Sequence, residues 1–162
     1  MLSERVRAIA ADLAGAGFNA RASEQIMQEM WEKWVMLGAL AAATCLMRAS
    51  VGDILAAPAG SRVLTGLLEE CRAIAEANGH APRDSVLARA RAMLTTPGSS
   101  LTASMLRDVE RHGRTEADHI LGDMIARRPP LPADTVPLLD IAFAALKAYE
   151  TQESRMATAP AG

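Results

Sequence analysis

The feature that most limits the fold of this chain is an apolar run that extends from Val35 to Met47 without a charged residue. Apolar residues also recur upstream at helical spacing, at Ile26, Met30 and Trp34, so one stripe continues along the whole segment. The run is too short to cross a bilayer. The pattern therefore predicts a long helix over about residues 24–47, with its second half buried on all sides.

The composition also favours helices. Half of the 162 residues are hydrophobic, but only 3% are aromatic. Because strands are rich in aromatic and β-branched residues, a core of Ala, Leu, Val, Ile and Met favours closely packed helices. No segment alternates polar and apolar residues for long enough to form a sheet. The length suits one domain, and we predict an all-α domain of about seven helices.

Apolar periodicity and capping residues divide the chain into elements. Helices are predicted over 3–14, 24–47, 61–77 and 84–94, as two helices within 101–125, and as a last helix that Asp134 caps. Residues 48–59 form a turn with room for one short helix. The helical domain is expected to cover 1–150. Residues 151–162 lack apolar periodicity and are predicted to be a disordered tail.

Charge and cysteine usage exclude several classes of protein. A net charge of -2 and an isoelectric point near 5.9 argue against a nucleic-acid partner. The N-terminus carries charges throughout, unlike a signal peptide. Cys45 and Cys71 are far apart, as expected of two buried thiols in a reducing compartment. We therefore expect a cytoplasmic protein with no membrane partner.

Two short motifs match known sites but lack the required context. Gly15–Ala20 fits the dinucleotide pattern G-x-G-x-x-G/A, yet it follows a predicted helix rather than a strand, so we reject it. Glu116 and His119 form an E-x-x-H pair like those of di-iron bundles. Such a site needs a second pair and two further carboxylates, which the chain does not offer at suitable spacing. No metal site is expected.

Polar residues with defined spacing are concentrated in 101–116. Ser104 and Asp108 are four residues apart and share a helix face. Gly113 is predicted to end this helix in a left-handed conformation. Thr115 is predicted to cap the next helix with Asp118 as its capping-box partner, which places Glu116 in the first turn. Capping alone would explain these residues, and a ligand site is the alternative.

Lys33 is the last charged residue before Arg48 in the long predicted helix. A lysine at this boundary commonly extends its ammonium group into water along the helix surface. The other interpretation is a partly desolvated ammonium in a cleft, where it can donate a proton.

Three segments together resemble the C-terminal domain of the ketopantoate reductase (2-dehydropantoate 2-reductase) family. Glu29–Lys33 is similar to the family's Trp-x-Lys helix, and Ser104–Val109 to its Ser-Met-x-x-Asp segment. Gly113–Glu116, followed by Ile120–Gly122, is similar to its Arg-x-Thr-Glu helix start. Order and spacing also fit, and the resemblance extends over about Ser3 to Tyr149.

The resemblance implies a fold like the C-terminal domain of 6-phosphogluconate dehydrogenase. It further implies an N-terminal Rossmann domain that holds NADPH, and a helical domain that binds a small 2-keto acid and forms a homo-oligomer. In the family, hydride passes from NADPH to the keto carbon, in a step of pantothenate biosynthesis. This chain contains no strand–turn–helix nucleotide unit, so we expect no NADPH to bind to it alone.

The resemblance also implies roles for individual residues. Lys33 corresponds to the lysine that protonates the developing alkoxide. Glu116 corresponds to a carboxylate that contacts the nicotinamide cofactor. The implied substrate contacts are Ser104, Met105, Leu106, Arg107 and Asp108.

The chain departs from the family beside the lysine. Asparagines usually follow the lysine by four and eight residues, where this chain has Leu37 and Ala41. Methyl groups replace amides on that helix face, so a less polar 2-keto acid than ketopantoate is expected. The alternative from another class is a non-catalytic helical module for dimerisation or interaction, which kept the fold without the cofactor domain.

Overall fold

The computed structural model describes residues 2–158, and all regular structure in that range is helical. Eight α-helices and one π-helical segment follow one another in this described range. Their bounds are α1 Glu4–Leu13, α2 Ile26–Met47, α3 Val51–Ala56, α4 Gly60–Ala77, α5 Asp84–Leu94, α6 Ser104–Glu110, the π-helical segment Asp118–Gly122, α7 Asp123–Ala126 and α8 Leu138–Thr158. The all-α prediction is confirmed.

The chain divides into two compact units, Met1–Met30 and Trp31–Gly162. In the first unit, the Ser3 hydroxyl caps α1 by accepting from the Val6 amide at 3.3 Å. None of the residues of α1 is buried. Gly15–Ala20 follows this helix, so the glycine pattern lacks the preceding strand that a dinucleotide site needs.

The core of the second unit is built around α2. Every residue of α2 from Gly38 to Cys45 is buried, as the uncharged run predicts. Leucines, isoleucines and methionines from the other helices surround this stretch, with Leu64, Leu67 and Leu68 of α4 fully buried. Within residues 2–158, no helix is both long and apolar enough to cross a membrane.

The connection from α2 to α4 depends on close backbone contacts. Ser50 caps α3 by accepting from the Asp53 amide at 3.2 Å. The Val51 amide, at the start of α3, also donates at 2.9 Å to the carbonyl of Leu101 in the loop that precedes α6. At Gly60 an added Cβ would lie 1.6 Å from the carbonyl oxygen of Ile54, so only glycine permits this approach of α3 to α4.

Two helices begin at carboxylates that other helices supply. Glu32 of α2 accepts from the Arg83 amide, 3.0 Å away, directly before α5. Glu70 of α4 accepts from the amides of Leu138 and Leu139, at 2.8 and 2.9 Å, at the start of α8. Neither Asp84, at the predicted start of its helix, nor the predicted cap Asp134 has such a role. Asp84 is the first residue of α5, and α8 begins four residues after Asp134.

The last helix is longer than the periodicity indicated. α8 continues to Thr158, so residues 151–158 are helical and the prediction of disorder is wrong for them. Residues 159–162 lie outside the described range. Glu153, in this last part of α8, accepts a hydrogen bond from His112 Nδ1 at 3.0 Å. The apolar stripe weakens here, and polar contacts of this kind take its place.

Candidate functional site

The segment that holds Ser104 and Asp108 ends in a Schellman motif. Both residues lie on α6, as predicted. The left-handed residue that ends this helix is His112, with φ of 57°, rather than Gly113. The Gly113 amide donates to the Asp108 carbonyl at 2.7 Å, and the His112 amide donates to Val109 at 3.2 Å. Gly113 lies close to the preceding helix, because an added Cβ would be 3.1 Å from the carbonyl oxygen of Asp108, a tight contact.

The loop from Gly113 to Glu116 is held against α8. The Tyr149 hydroxyl donates to the Gly113 carbonyl at 2.9 Å, and the Thr115 hydroxyl bonds to the Glu150 carboxylate. Thr115 also accepts from the Ala117 amide at 3.3 Å. The π-helical segment has Ala117 as its N-cap and no side-chain cap, so the predictions that Thr115 caps it and that Glu116 lies in its first turn are wrong. The carboxylate of Glu116 is exposed and has no hydrogen bond or ion pair within the described chain.

The predicted capping box is not formed. Both carboxylate oxygens of Asp118 accept from Lys147 at 3.0 Å instead. Lys147 also donates to Glu150 at 2.5 Å. Hydrogen bonds to Glu150 and then Asp118 raise the pKa of Lys147. The loop from Gly113 to Glu116, the π-helical segment and α8 are thus joined through Lys147 and its partner Glu150.

The helix that follows Glu116 begins with a wide turn. In the π-helical segment, the Asp123 amide donates to the carbonyl of Asp118, five residues earlier. Such turns recur at functional sites because the extra residue redirects neighbouring groups. The carbonyl of Ile120 accepts a hydrogen bond from the indole Nε1 of Trp34 at 2.9 Å.

A second hydrogen bond connects α2 to the Ser104 segment. The hydroxyl of Thr44 accepts from the Ala103 amide at 3.4 Å, one residue before Ser104. Thr44 is buried and donates to the Leu40 carbonyl of its own helix at 2.8 Å. The three segments that carry the resemblance are therefore linked through α2, by Trp34 at one point and Thr44 at the other.

The sequence-predicted site residues differ in how they are exposed. Lys33, Ser104, Arg107 and Glu116 are exposed, and Asp108 is half-buried. Met105 and Leu106 are 1% and 2% exposed, so their side chains point into the core. No hydrogen bond or ion pair inside residues 2–158 links Lys33 to Ser104, Asp108 or Glu116.

The two positions where the chain departs from the family also differ from each other. Leu37 is 37% exposed and faces a surface that a ligand can reach. Ala41 is 2% exposed and belongs to the core. Only the first position offers a side chain that can be exchanged at the surface without disturbing the packing.

A cavity of about 780 Å³ lies between the Glu116 loop and the second half of α8. It is lined by His112, Gly113, Arg114, Thr115, Glu116, Asp118, His119, Lys147, Glu150, Glu153, Ser154 and Ala157. Glu116 is the one sequence-predicted site residue among them. The contribution of α8 was not predicted from the sequence, although Lys147, Glu150 and Glu153 recur at a spacing of three on one helix face.

Glu116 and His119 both line this cavity, but they do not form a metal centre with their neighbours. Within the described residues, no group of three or more His, Cys, Asp or Glu side chains is arranged to hold a metal ion. The nearest carboxylate to His119 is Asp123, whose Oδ2 lies 3.9 Å from Nδ1.

Comparison with known proteins places this arrangement in a family. Residues 25–150 match the model described as ketopantoate reductase PanE/ApbA C terminal. An uncharacterized oxidoreductase, YkpB of Bacillus subtilis (strain 168), is 31% identical over 93% of this chain and 50% of its own length. The 2-dehydropantoate 2-reductase of Halobacterium salinarum is 30% identical, over 76% of this chain and 40% of its own length.

Solved structures show the same relationship. The crystal structure of 2-dehydropantoate 2-reductase from Methylococcus capsulatus aligns with a TM-score of 0.75 and 29% identity. The alignment covers 94% of this chain and 52% of that one. The chain thus spans about half the length, or less, of the relatives it matches. On the family match and the shared fold, the chain belongs to the ketopantoate reductase PanE/ApbA C-terminal family.

Proposed function

We propose that this chain is the substrate-binding domain of an NADPH-dependent reductase of small 2-keto acids. The observation that carries the proposal is the accessibility of the Lys33 side chain. Its ammonium group is exposed and has no hydrogen bond or ion pair in the described chain. It stands on the helix that Trp34 and Thr44 tie to the other two segments of the family pattern.

The proposed role of Lys33 is to donate a proton to the alkoxide that forms at the keto carbon. NADPH supplies the hydride when it is bound. An ammonium group beside the substrate oxygen also stabilises developing negative charge. General acid catalysis of this kind contributes roughly 10²–10⁴ in rate. A lysine without an ion-pair partner suits this role, because no carboxylate has to be displaced when the substrate binds.

The other proposed contacts come from α6 and the loop that follows it. The Ser104 hydroxyl is exposed for a hydrogen bond to the substrate, and Arg107 is exposed one turn along. Half-buried Asp108 is proposed to organise the cleft. Since the side chains of Met105 and Leu106 lie in the core, contacts from these positions would come from the backbone.

The cofactor would meet this chain at Glu116. The exposed Glu116 carboxylate, which borders the cavity, fits one polar contact to a nicotinamide. The described residues contain no strand, and the one glycine pattern follows a helix, so the phosphate groups need a separate nucleotide-binding half. We propose that such a half acts together with this chain, and that the helical domain forms a homo-oligomer.

The proposed substrate is a 2-keto acid with an apolar side chain. Leu37 presents methyl groups one turn after Lys33, where an asparagine would offer hydrogen bonds. A hydroxylated substrate such as ketopantoate would lose those bonds, and such losses can cost orders of magnitude in discrimination. If the enzyme also reduces ketopantoate, we propose a role in pantothenate biosynthesis.

The test is an NADPH oxidation assay on a protein that joins this chain to a nucleotide-binding half. That half is either the chain's own or the one from the Methylococcus capsulatus relative. We expect turnover with at least one 2-keto acid, and Lys33→Ala should lower kcat by at least about 100-fold. Arg89→Ala, which removes an exposed arginine of α5, is the control and should leave kcat unchanged. Near-normal turnover by the lysine variant would contradict the proton-donor role.

The second candidate is a non-catalytic helical module. Ala41 favours it, because a buried methyl group stands where the family usually has a substrate-binding amide. A failure of the joined protein to oxidise NADPH with any 2-keto acid, together with self-association of the chain in sedimentation experiments, would support this candidate over the reductase.

A further inference from the structure

Three of the four residues in the α2 turn Trp31–Trp34 are held by groups outside that helix, and Lys33 is the exception. We propose that the ion pair between Glu32 and Arg83 is a positioning device for Lys33. It fixes the turn that carries the ammonium group, so that Lys33 is presented to its ligand in one direction. This inference rests on the proposed function, in which Lys33 is the proton donor.

The pair has a geometry that restricts the carboxylate closely. Glu32 is 4% exposed, and its Oε1 accepts from the Arg83 amide at 3.0 Å and from Nε at 2.7 Å. Its Oε2 accepts from Nη2 at 2.5 Å. A guanidinium group that binds both oxygens fixes the plane of the carboxylate as well as its position. Because Glu32 directly precedes Lys33, the rotation of α2 is set at this point.

The pairing of the Arg83 guanidinium with both oxygens of Glu32, which we call the fork, exceeds what is needed to start α5. Glu70 caps α8 with a carboxylate and two backbone amides, and its cap includes no guanidinium group. The carboxylate of Glu32 is buried, whereas the side chain of Arg83 is 49% exposed. A buried carboxylate needs hydrogen-bond partners, and a guanidinium group that binds both of its oxygens also fixes its orientation. We assign the additional bonds from Arg83 to orientation of the turn.

The neighbours of Glu32 hold the same turn from other sides. The ring of Trp31 stacks on His80, with centroids 5.3 Å apart and planes 17° from parallel. The indole of Trp34 donates to Ile120. Successive residues of a helix point about 100° apart, so contacts at three positions leave the fourth direction to Lys33. A displacement of about 1 Å at a reacting group can cost 100-fold in rate.

The first test uses the joined reductase. Glu32→Gln keeps the size of the side chain but removes its charge, and Arg83→Gln removes the fork. We expect either substitution to lower kcat by about 10- to 100-fold with no change in the KM for NADPH. Glu70→Gln is the matched control, because it weakens a carboxylate cap on a different helix, and its kcat should stay unchanged. An unchanged kcat in both fork variants, or an equal loss in the control, would overturn the inference.

The second test needs no enzymatic activity. The chain contains two lysines, Lys33 and Lys147, so ¹³C-lysine labelling gives two ε-methylene signals in a nuclear magnetic resonance spectrum. Glu32→Gln and Arg83→Gln should shift the Lys33 signal and leave that of Lys147 in place, and Glu70→Gln should move neither. If the wild type reduces no 2-keto acid, the proposed function fails while this measurement still decides the inference. A Lys33 signal that stays in place in both fork variants contradicts it.

Discussion

The indole N–H of Trp34 lies 2.9 Å from the carbonyl oxygen of Ile120, and this hydrogen bond joins α2 to the π-helical segment. Two residues that are 86 positions apart in sequence are thereby fixed against each other. Lys33 precedes one of them directly, and Glu116 precedes the other by one turn. The bond thus joins the helix of the proposed proton donor to the segment that follows the proposed cofactor contact.

Replacement of Trp34 by phenylalanine should lower the free energy of unfolding by about 1 kcal/mol beyond the loss of ring size, because the Ile120 carbonyl loses a donor. Urea titration of the isolated chain measures this. Trp31→Phe is the control, since it removes the same volume while the ring can still stack on His80. Equal destabilisation by the two substitutions would show that the indole bond adds nothing.

Leu37→Asn should raise kcat/KM for ketopantoate relative to an apolar 2-keto acid by at least about tenfold, since a site that can bond a hydroxyl discriminates strongly for it. The exposure of Leu37 means that the asparagine stays hydrated and the fold tolerates it. Ala41→Asn provides the contrast. Its amide would be buried, and we expect loss of stability rather than a change of preference. If the ratio of the two kcat/KM values is unaffected by Leu37→Asn, specificity is determined elsewhere.

The two thiols should be inert in the native protein. Burial raises the pKa of Cys45 to about 11 and that of Cys71 to about 12. Since thiolates are the reactive form, we expect no reaction with Ellman's reagent at pH 8 until urea is added. Rapid labelling of the native protein would contradict the buried positions.

The same pKa values predict a loss of stability at alkaline pH. A thiol whose pKa is higher in the folded than in the unfolded chain stabilises the fold below the unfolded value of about 9. This contribution disappears as the pH rises through 11 and 12. Urea titrations at pH 8 and pH 10.5 should therefore show a lower free energy of unfolding at the higher pH. The decrease in the free energy of unfolding between these two pH values should be smaller in a Cys45→Ala, Cys71→Ala double variant.

Deletion of residues 151–162 should lower the melting temperature, because it removes the last turns of α8 and the contact between Glu153 and His112. An exposed pair of this kind contributes about 0.2–1 kcal/mol, so the effect is measurable but modest. Deletion of residues 159–162 alone is the control. A tail without structure, as the periodicity indicated, would give the same melting temperature for both deletions.

Helices that bury an apolar stripe could be predicted from the sequence. The bounds of α4 and α5 agree with the predicted 61–77 and 84–94 to within one residue, and the local residues Gly79 and Pro82 mark the end of α4. The start of α8 could not be found in this way. Its first amides bind Glu70, which lies 68 residues earlier and leaves no signal near Leu138.

The candidate site could be proposed from the sequence as a set of residue types but not as a geometry. The resemblance selected Lys33, Ser104 and Glu116, but the bonds that tie their segments together come from Trp34 and Thr44, which carry no polar motif. The left-handed residue was assigned to Gly113 because glycine adopts that conformation easily. The chain places His112 there, and Gly113 follows it in close contact with the carbonyl oxygen of Asp108.

The carboxylates that α2 and α4 supply to α5 and α8 also bear on the order in which the domain assembles. A helix whose first amides donate to a carboxylate of another helix has no complete start signal in its own sequence. Peptides that contain α5 or α8 alone should therefore fray at their first turn. In the folded chain, carboxylates on α2 and α4 fix Arg83 and Leu138 as helix boundaries, so the first turns of α5 and α8 are complete only when α2 and α4 are in place.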